Sequence, residues 1–181
     1  SGHGVAAAFI TSMLKMAFDS STTKANAQNP ALVLTNINEI IKGKTAGNFV
    51  TAIYAYFNTE KRKLKVACAG HNPMFIIKKD TFMEVHPKGR ILGFFDTIEL
   101  ETFSIDIEPG DKFFIYTDGL IEATNNEHFT FEPILYDILK NAYDMTADEV
   151  VDCVMLSLTD FAETQTGFED DVAIVCIEYE K

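Results

Sequence analysis

Two carboxylate clusters each stand at the end of an apolar strand pattern. Phe113-Phe114-Ile115-Tyr116 runs into Thr117-Asp118-Gly119, and Glu169-Asp170-Asp171 runs into Val172-Ala173-Ile174-Val175-Cys176-Ile177. A buried strand that ends in an aspartate leaves the carboxylate on a rim, where it meets water and a hard cation. Two such rims, far apart in sequence, can face one ion. Asp118, Asp170 and Asp171 are therefore candidate metal ligands. Both patterns also have plain structural readings. Asp-Gly after a strand is a common turn for backbone reasons alone. Three adjacent carboxylates repel one another, so the second cluster either stays in water or binds a cation. The shared position at strand ends tilts the reading toward a hard-cation site without deciding it.

Gly70-His71-Asn72-Pro73 interrupts two strand patterns. His71 there is either a general acid or metal ligand, or simply a residue capping a strand turn. Ser1-Gly2-His3-Gly4 precedes an apolar helical run, where glycines allow close backbone approach and free N–H groups favour an anion. His86 and His128 have no evident partner and read as surface residues.

These residues need a scaffold, and composition bounds it. A chain of 181 residues, 47% hydrophobic with fifteen Phe, has the makings of one globular domain. Its net charge of −12 without a basic block argues against nucleic acid and anionic membrane surfaces as partners. An acidic protein that handles phosphate needs a cation to offset the repulsion. Cys68, Cys153 and Cys176 are scattered in apolar stretches, as expected of buried thiols in a reducing, cytoplasmic setting. No apolar run approaches the roughly 20 residues of a membrane span.

Helical patterns cluster at the two ends of the chain. Val5 to Phe18 reads as a mostly buried helix. A second helix starts at Asn29-Pro30, with a stripe at Leu34, Ile37, Ile40 and Ile41, and stops at Gly43. Strand patterns fill the middle: Phe49 to Phe57, Leu64 to Ala69, Met74 to Ile77, Phe82 to Val85, Leu100 to Ile107 and Asp111 to Tyr116. Two helices follow, over about Phe131 to Ala142 and from the capping box Thr146-Ala147-Asp148-Glu149, and a strand over Val172 to Tyr179 closes the chain. This order predicts an α+β fold with antiparallel sheets.

Several motifs recur in a known order: Asn48-Phe49-Val50-Thr51-Ala52, Ala69-Gly70-His71-Asn72-Pro73, Ile91-Leu92-Gly93, Glu108-Pro109-Gly110-Asp111, Tyr116-Thr117-Asp118-Gly119 and Glu169-Asp170-Asp171-Val172-Ala173, after Ser1-Gly2-His3-Gly4-Val5. Together they resemble the metal-dependent PPM protein phosphatases, in the bacterial branch typified by SpoIIE and RsbU. The resemblance implies an α/β/β/α sandwich of two antiparallel sheets flanked by helices. It implies two Mn²⁺ or Mg²⁺ ions that activate water to attack phosphoserine or phosphothreonine. By the same resemblance Asp118 and Asp170 are metal ligands, Asp171 is a ligand or lies beside one, and Gly70, His71 and Asn72 line the substrate cleft. The family motif normally reads Asp-x-Ser-Gly-His-Gly, and its Asp bridges both metals; here the chain starts at the Ser. Residues 1–181 are thus expected to be a single partial domain that begins inside its first metal-site motif, with impaired activity on its own.

The implied setting is a bacterial signalling protein in the cytoplasm, with a sensor or receiver module upstream. The implied substrate is a phosphorylated anti-sigma-factor antagonist. An incomplete sheet with a free edge would favour a homodimer. A second reading belongs to another class: a non-catalytic protein-interaction module whose metal site has lapsed. Retention of Asp118, Asp170 and Asp171 speaks against it.

Overall fold

Helix starts follow the sequence closely. In the computed structural model, which describes residues 5–162 and 170–180, the Asn29 side chain accepts a hydrogen bond from Leu32 N at 3.3 Å and opens helix α2 (Pro30–Ile41). Glu149 Oε2 accepts from Thr146 N at 2.7 Å while Thr146 Oγ1 accepts from Glu149 N at 3.2 Å, so the capping box opens α5 (Ala147–Ala162) as expected. The remaining elements are α1 (Val5–Ser21), α3 (Asp118–Ile121), α4 (Glu132–Lys140), β1 (Ala52–Asn58), β2 (Lys63–Ala69), β3 (Met74–Lys78), β4 (Thr81–Val85), β5 (Phe103–Asp106), β6 (Lys112–Tyr116) and β7 (Ile174–Glu178). The expected strands are present, several shorter than their apolar patterns. Val50, for instance, makes only an isolated bridge to Leu92.

The chain forms two compact units. One runs through His71 and adds His86–Ile107; the other consists of Asn72–Val85 and the chain from Glu108 onward. In the first unit β2 is central, pairing antiparallel with β1 from Ala52↔Ala69 to Asn58↔Lys63 and with β5 from Lys63↔Asp106 to Val66↔Phe103. Val33, Leu34, Ile37 and Ile41 of α2 bury against Ala67 and Ala69 of β2 and against Leu92. Asn38, on the same helix and fully buried, accepts from Gly93 N at 2.8 Å and donates to the Phe95 carbonyl at 3.1 Å. One buried amide thereby holds the 93–95 turn to α2. Helix α1 departs from expectation. It packs by a single stripe, Met13, Leu14 and Ala17, while Phe9 and Met16 are 77% and 74% exposed. Apolar residues all round a helix suggest burial, but one neighbour covers only one stripe.

In the second unit the strand order is β4-β3-β6-β7, antiparallel throughout. Phe75 and Ile77 of β3 with Phe114 and Tyr116 of β6 project from one face into a core with Leu120, Leu135, Leu139, Val150, Val154 and Leu158 of the three helices. Phe75 stacks on Tyr116 with ring centroids 5.6 Å apart. A buried polar network ties the other end of this sheet. Lys112, 1% exposed, donates to the Tyr143 carbonyl at 2.7 Å and the Gly110 carbonyl at 3.2 Å, and lies 3.7 Å from Glu178. Glu178 in turn accepts from Ala147 N at 3.2 Å. Buried Asp111 pairs with Lys78 and accepts from Glu108 N. Every member is partnered, as burial requires, and the network clamps β6 and β7 side by side.

The fold is α+β, two antiparallel sheets flanked by helices, as expected. The short helix α3 was not foreseen; four residues are too few to show a helical period.

Candidate active site

Antiparallel pairing decides where the carboxylates go. The last rung between β6 and β7 is Tyr116↔Ile174. The exit from β6 and the entry to β7 therefore lie at the same end of the sheet, although three helices lie between Tyr116 and Ile174 in the sequence. Thr117 continues the ladder for one more step. Its N–H donates to the Ala173 carbonyl at 3.0 Å, and its hydroxyl accepts from Ala173 N at 2.9 Å while donating to the Asp171 carbonyl at 3.1 Å. One side chain thus fastens the Thr117-Asp118-Gly119 turn to the Asp170-Asp171 turn.

Gly119 completes the contact. A Cβ at this position would lie 2.6 Å from the Asp171 carbonyl oxygen and 3.2 Å from that of Asp170. Real Cβ atoms do not approach that closely, so the two acidic turns touch because residue 119 has no side chain. Asp118 opens α3; one carboxylate oxygen accepts weakly from Gly119 N at 3.2 Å. Asp170 accepts from Asp171 N at 2.7 Å. All three aspartates are exposed. Among the described residues no Lys, Arg or His forms an ion pair with any of them.

Exposed carboxylates on two touching turns, none of them in an ion pair among the described residues, are oxygen donors of the kind that hard divalent cations such as Mn²⁺ or Mg²⁺ take. The residues fit such an ion in chemistry but supply only part of a shell. Among the described residues no group of three or more His, Cys, Asp or Glu side chains is arranged to hold a metal ion. Gly2, in the first motif, and Glu169, beside Asp170, lie outside the described residues.

The expected cleft loop is tightly built. Gly70 has φ +68°, and a Cβ there would sit 2.5 Å from Ile91 Cγ2. Gly89 presses on the strand that leads into the loop, where a Cβ would fall 1.9 Å from the Cys68 carbonyl oxygen. The buried Cys68 thiol donates to the His71 carbonyl at 3.1 Å, and burial pushes its pKa upward. His71 and Asn72 are half-buried. Gly70 and His71 belong to the first unit, whereas Asn72 and the three aspartates belong to the second. His86 and His128 are exposed, as expected; His3 lies outside the described residues.

Sequence reasoning assigned no role to Thr117 or Gly119. The signal was present in the tripeptide around Asp118, but what Thr117 bonds to is visible only once β6 and β7 are paired.

A model of the Stage II sporulation protein E family matches residues 1–180. The phosphoserine phosphatase RsbU of Bacillus subtilis is 30% identical over 179 residues, covering 97% of this chain and 52% of that protein. The chain spans about half the length of the curated relatives it matches. Among solved structures, the PP2C domain of SiaA from Pseudomonas aeruginosa superposes with a TM-score of 0.86 at 19% identity, covering 99% of this chain and 73% of that one. RsbX in complex with magnesium does so with a TM-score of 0.66 at 20% identity, covering 97% and 75%. At these identities the structural neighbours establish the fold, that of PP2C-type domains. With the family match running over nearly every residue, the chain belongs to the SpoIIE family.

Proposed function

We propose that this chain is a metal-dependent protein serine/threonine phosphatase domain of a bacterial signalling protein, acting on phosphoserine or phosphothreonine of a protein partner. The observation that carries the proposal is the contact of the Asp118 and Asp170-Asp171 turns through Thr117 and Gly119. It brings together the two turns that carry these exposed aspartates, none of which forms an ion pair among the described residues. The SpoIIE family match and the name of the RsbU relative support the reaction class. Asp118, Asp170 and Asp171 would hold Mn²⁺ or Mg²⁺. Such ions supply charge neutralisation of the phosphoryl oxygens and a water acidic enough to serve as nucleophile at neutral pH. Gly70, His71 and Asn72 would form the wall against which the phosphorylated side chain lies. A phosphorylated anti-sigma-factor antagonist is the substrate this reading favours. A sensor or receiver module in the parent protein would be the source of regulation.

The test is substitution in the full-length parent. Asp118→Asn and Asp170→Asn keep side-chain shape and remove the charge that holds a cation. Each should lower Mn²⁺-dependent phosphoserine hydrolysis at least about a thousandfold, the scale of losing metal activation, with circular dichroism unchanged. Near-normal turnover by either variant would overturn the site.

A further inference from the structure

We infer that Thr117 is a positioning residue for the aspartates that would hold the metal, an inference that rests on the metal site of the phosphatase reading above. Its hydroxyl sets how the Asp118 turn stands against the Asp170-Asp171 turn, and so the affinity of the two turns for a divalent cation. In an antiparallel ladder a hydrogen-bonded pair exchanges two N–H···O=C bonds. Thr117 and Ala173 form the step after Tyr116↔Ile174. One of their bonds has the usual form, from Thr117 N to the Ala173 carbonyl at 3.0 Å. A side chain takes over the other. Ala173 N donates to Thr117 Oγ1 at 2.9 Å, while the Thr117 carbonyl accepts from Leu120 N at 3.1 Å at the start of α3. The hydroxyl thus stands in for a backbone carbonyl. The chain can turn out of the sheet here without losing the ladder step, and the first residue of the turn is Asp118.

A second observation separates this arrangement from ordinary helix capping. Thr117 occupies the N-cap position of α3 with extended backbone, φ −88° and ψ 161°. A threonine there commonly accepts from an N–H of the first helical turn. Thr117 makes no such bond; its hydroxyl proton goes to the Asp171 carbonyl at 3.1 Å. That carbonyl oxygen is the atom a Cβ on Gly119 would meet at 2.6 Å. The residues on either side of Asp118 therefore seat against the same oxygen of the partner turn, one by a hydrogen bond and one by close approach. The hydroxyl commits both its donor and its acceptor capacity to the chain that carries Asp170 and Asp171. Small hard cations tolerate little displacement of their ligands, and groups that orient ligands without touching the ion change metal affinity about 10- to 100-fold when removed.

The experiment compares Thr117→Val, which removes the hydroxyl, with Thr117→Ser, which keeps it, both in the full-length parent. Calorimetric titration with Mn²⁺ should give a Kd about 10- to 100-fold higher for Thr117→Val and close to wild type for Thr117→Ser. Thr117→Ala should behave as Thr117→Val does, which separates loss of the hydroxyl from crowding by the valine methyl. Hydrogen–deuterium exchange of the metal-free protein should be faster in the peptide containing Ala173 when the hydroxyl is absent, and unchanged in Thr117→Ser. Phosphoserine hydrolysis by Thr117→Val should fall at limiting Mn²⁺ and recover as Mn²⁺ is raised. Asn38→Ala, which loosens the other unit, controls for general loss of stability, and its Mn²⁺ Kd should match wild type. An unchanged Kd in Thr117→Val overturns the inference, as does unchanged exchange at Ala173 or an equal rise of Kd in Asn38→Ala. A wild-type parent that binds Mn²⁺ without hydrolysing phosphoserine removes the phosphatase reading, while the Kd comparison still decides the role of Thr117. A wild-type parent that binds no Mn²⁺ removes both.

Discussion

The α-carbon of Gly119 stands so close to the Asp171 carbonyl that a single added methyl would come within 2.6 Å of the oxygen. Backbone, not a flexible side chain, occupies the space, so the approach of the two acidic turns is fixed by what residue 119 lacks. Gly119 is also buried, which leaves no route for a side chain to turn toward solvent.

Gly119→Ala should therefore separate the turns that carry Asp118 and Asp170. Overpacking of this kind costs about 1–3 kcal/mol, which corresponds to a melting temperature lower by several degrees in a chain of this size. Differential scanning calorimetry measures the first effect and Mn²⁺ titration the second. A variant as stable as wild type with undiminished metal affinity would show that the turns tolerate separation.

Asn38→Ala removes the amide that serves both Gly93 N and the Phe95 carbonyl. Leaving buried backbone groups without partners costs about 1–3 kcal/mol each. Chemical denaturation should show a lower midpoint at unchanged slope, and limited proteolysis should open first near residues 93–96. Equal protease resistance in both proteins would count against the clamp.

Lys112→Met keeps the length of the side chain and removes its donors. The Tyr143 carbonyl loses its 2.7 Å partner and Glu178 the cation that lies 3.7 Å away. A loss of about 2–4 kcal/mol is expected. Adding Glu178→Gln should return part of it, because the uncompensated charge is then gone. Urea midpoints of the single and double variants decide the point: purely additive losses would mean that the two residues do not interact.

Alkaline pH should weaken the fold, beginning with a partly buried thiol. Burial raises the Cys176 thiol from its ordinary value near 9 to about 11; Lys112 opposes the rise, while Glu178 and Asp148 add to it. The folded state holds this proton more tightly than the unfolded chain. The associated stability is complete below about pH 9 and is lost as pH climbs toward 11. Tyr136, raised to about 12 by burial and by its bond to Glu84, and Tyr116, raised by burial, add further losses above pH 10. Thermal melts from pH 8 to 11 should fall from about pH 9 onward. Cys176→Ala should flatten the stretch between pH 9 and 10; an unaltered slope would exclude the thiol as the cause.

Much of this protein is local and was legible in the chain. Asn29 before Pro30 and Thr146 three residues before Glu149 start helices through hydrogen bonds that close within one turn, so no distant residue is needed to make them. Strand patterns ending in Asp118 and beginning after Asp171 likewise depend on which residues alternate and where the carboxylates interrupt them. The motifs and their order, which point to the phosphatase family, are properties of the string itself.

Other features required the folded chain. The run from Val5 to Phe18 reads as a mostly buried helix, yet its Phe9 and Met16 lie exposed, because burial depends on how many neighbours a helix meets and not on its own apolarity. Thr117 and Gly119 acquire roles only when β6 lies beside β7, a pairing between segments that three helices separate. A strand offers equivalent backbone hydrogen bonds on both edges, so its sequence announces a strand without naming its partner. Packing of Phe75, Phe114 and Tyr116 under α4 and α5, together with the Lys112 network, made that choice. The sequence by itself determined which carboxylates stand at strand ends; the tertiary structure alone decided that those ends meet.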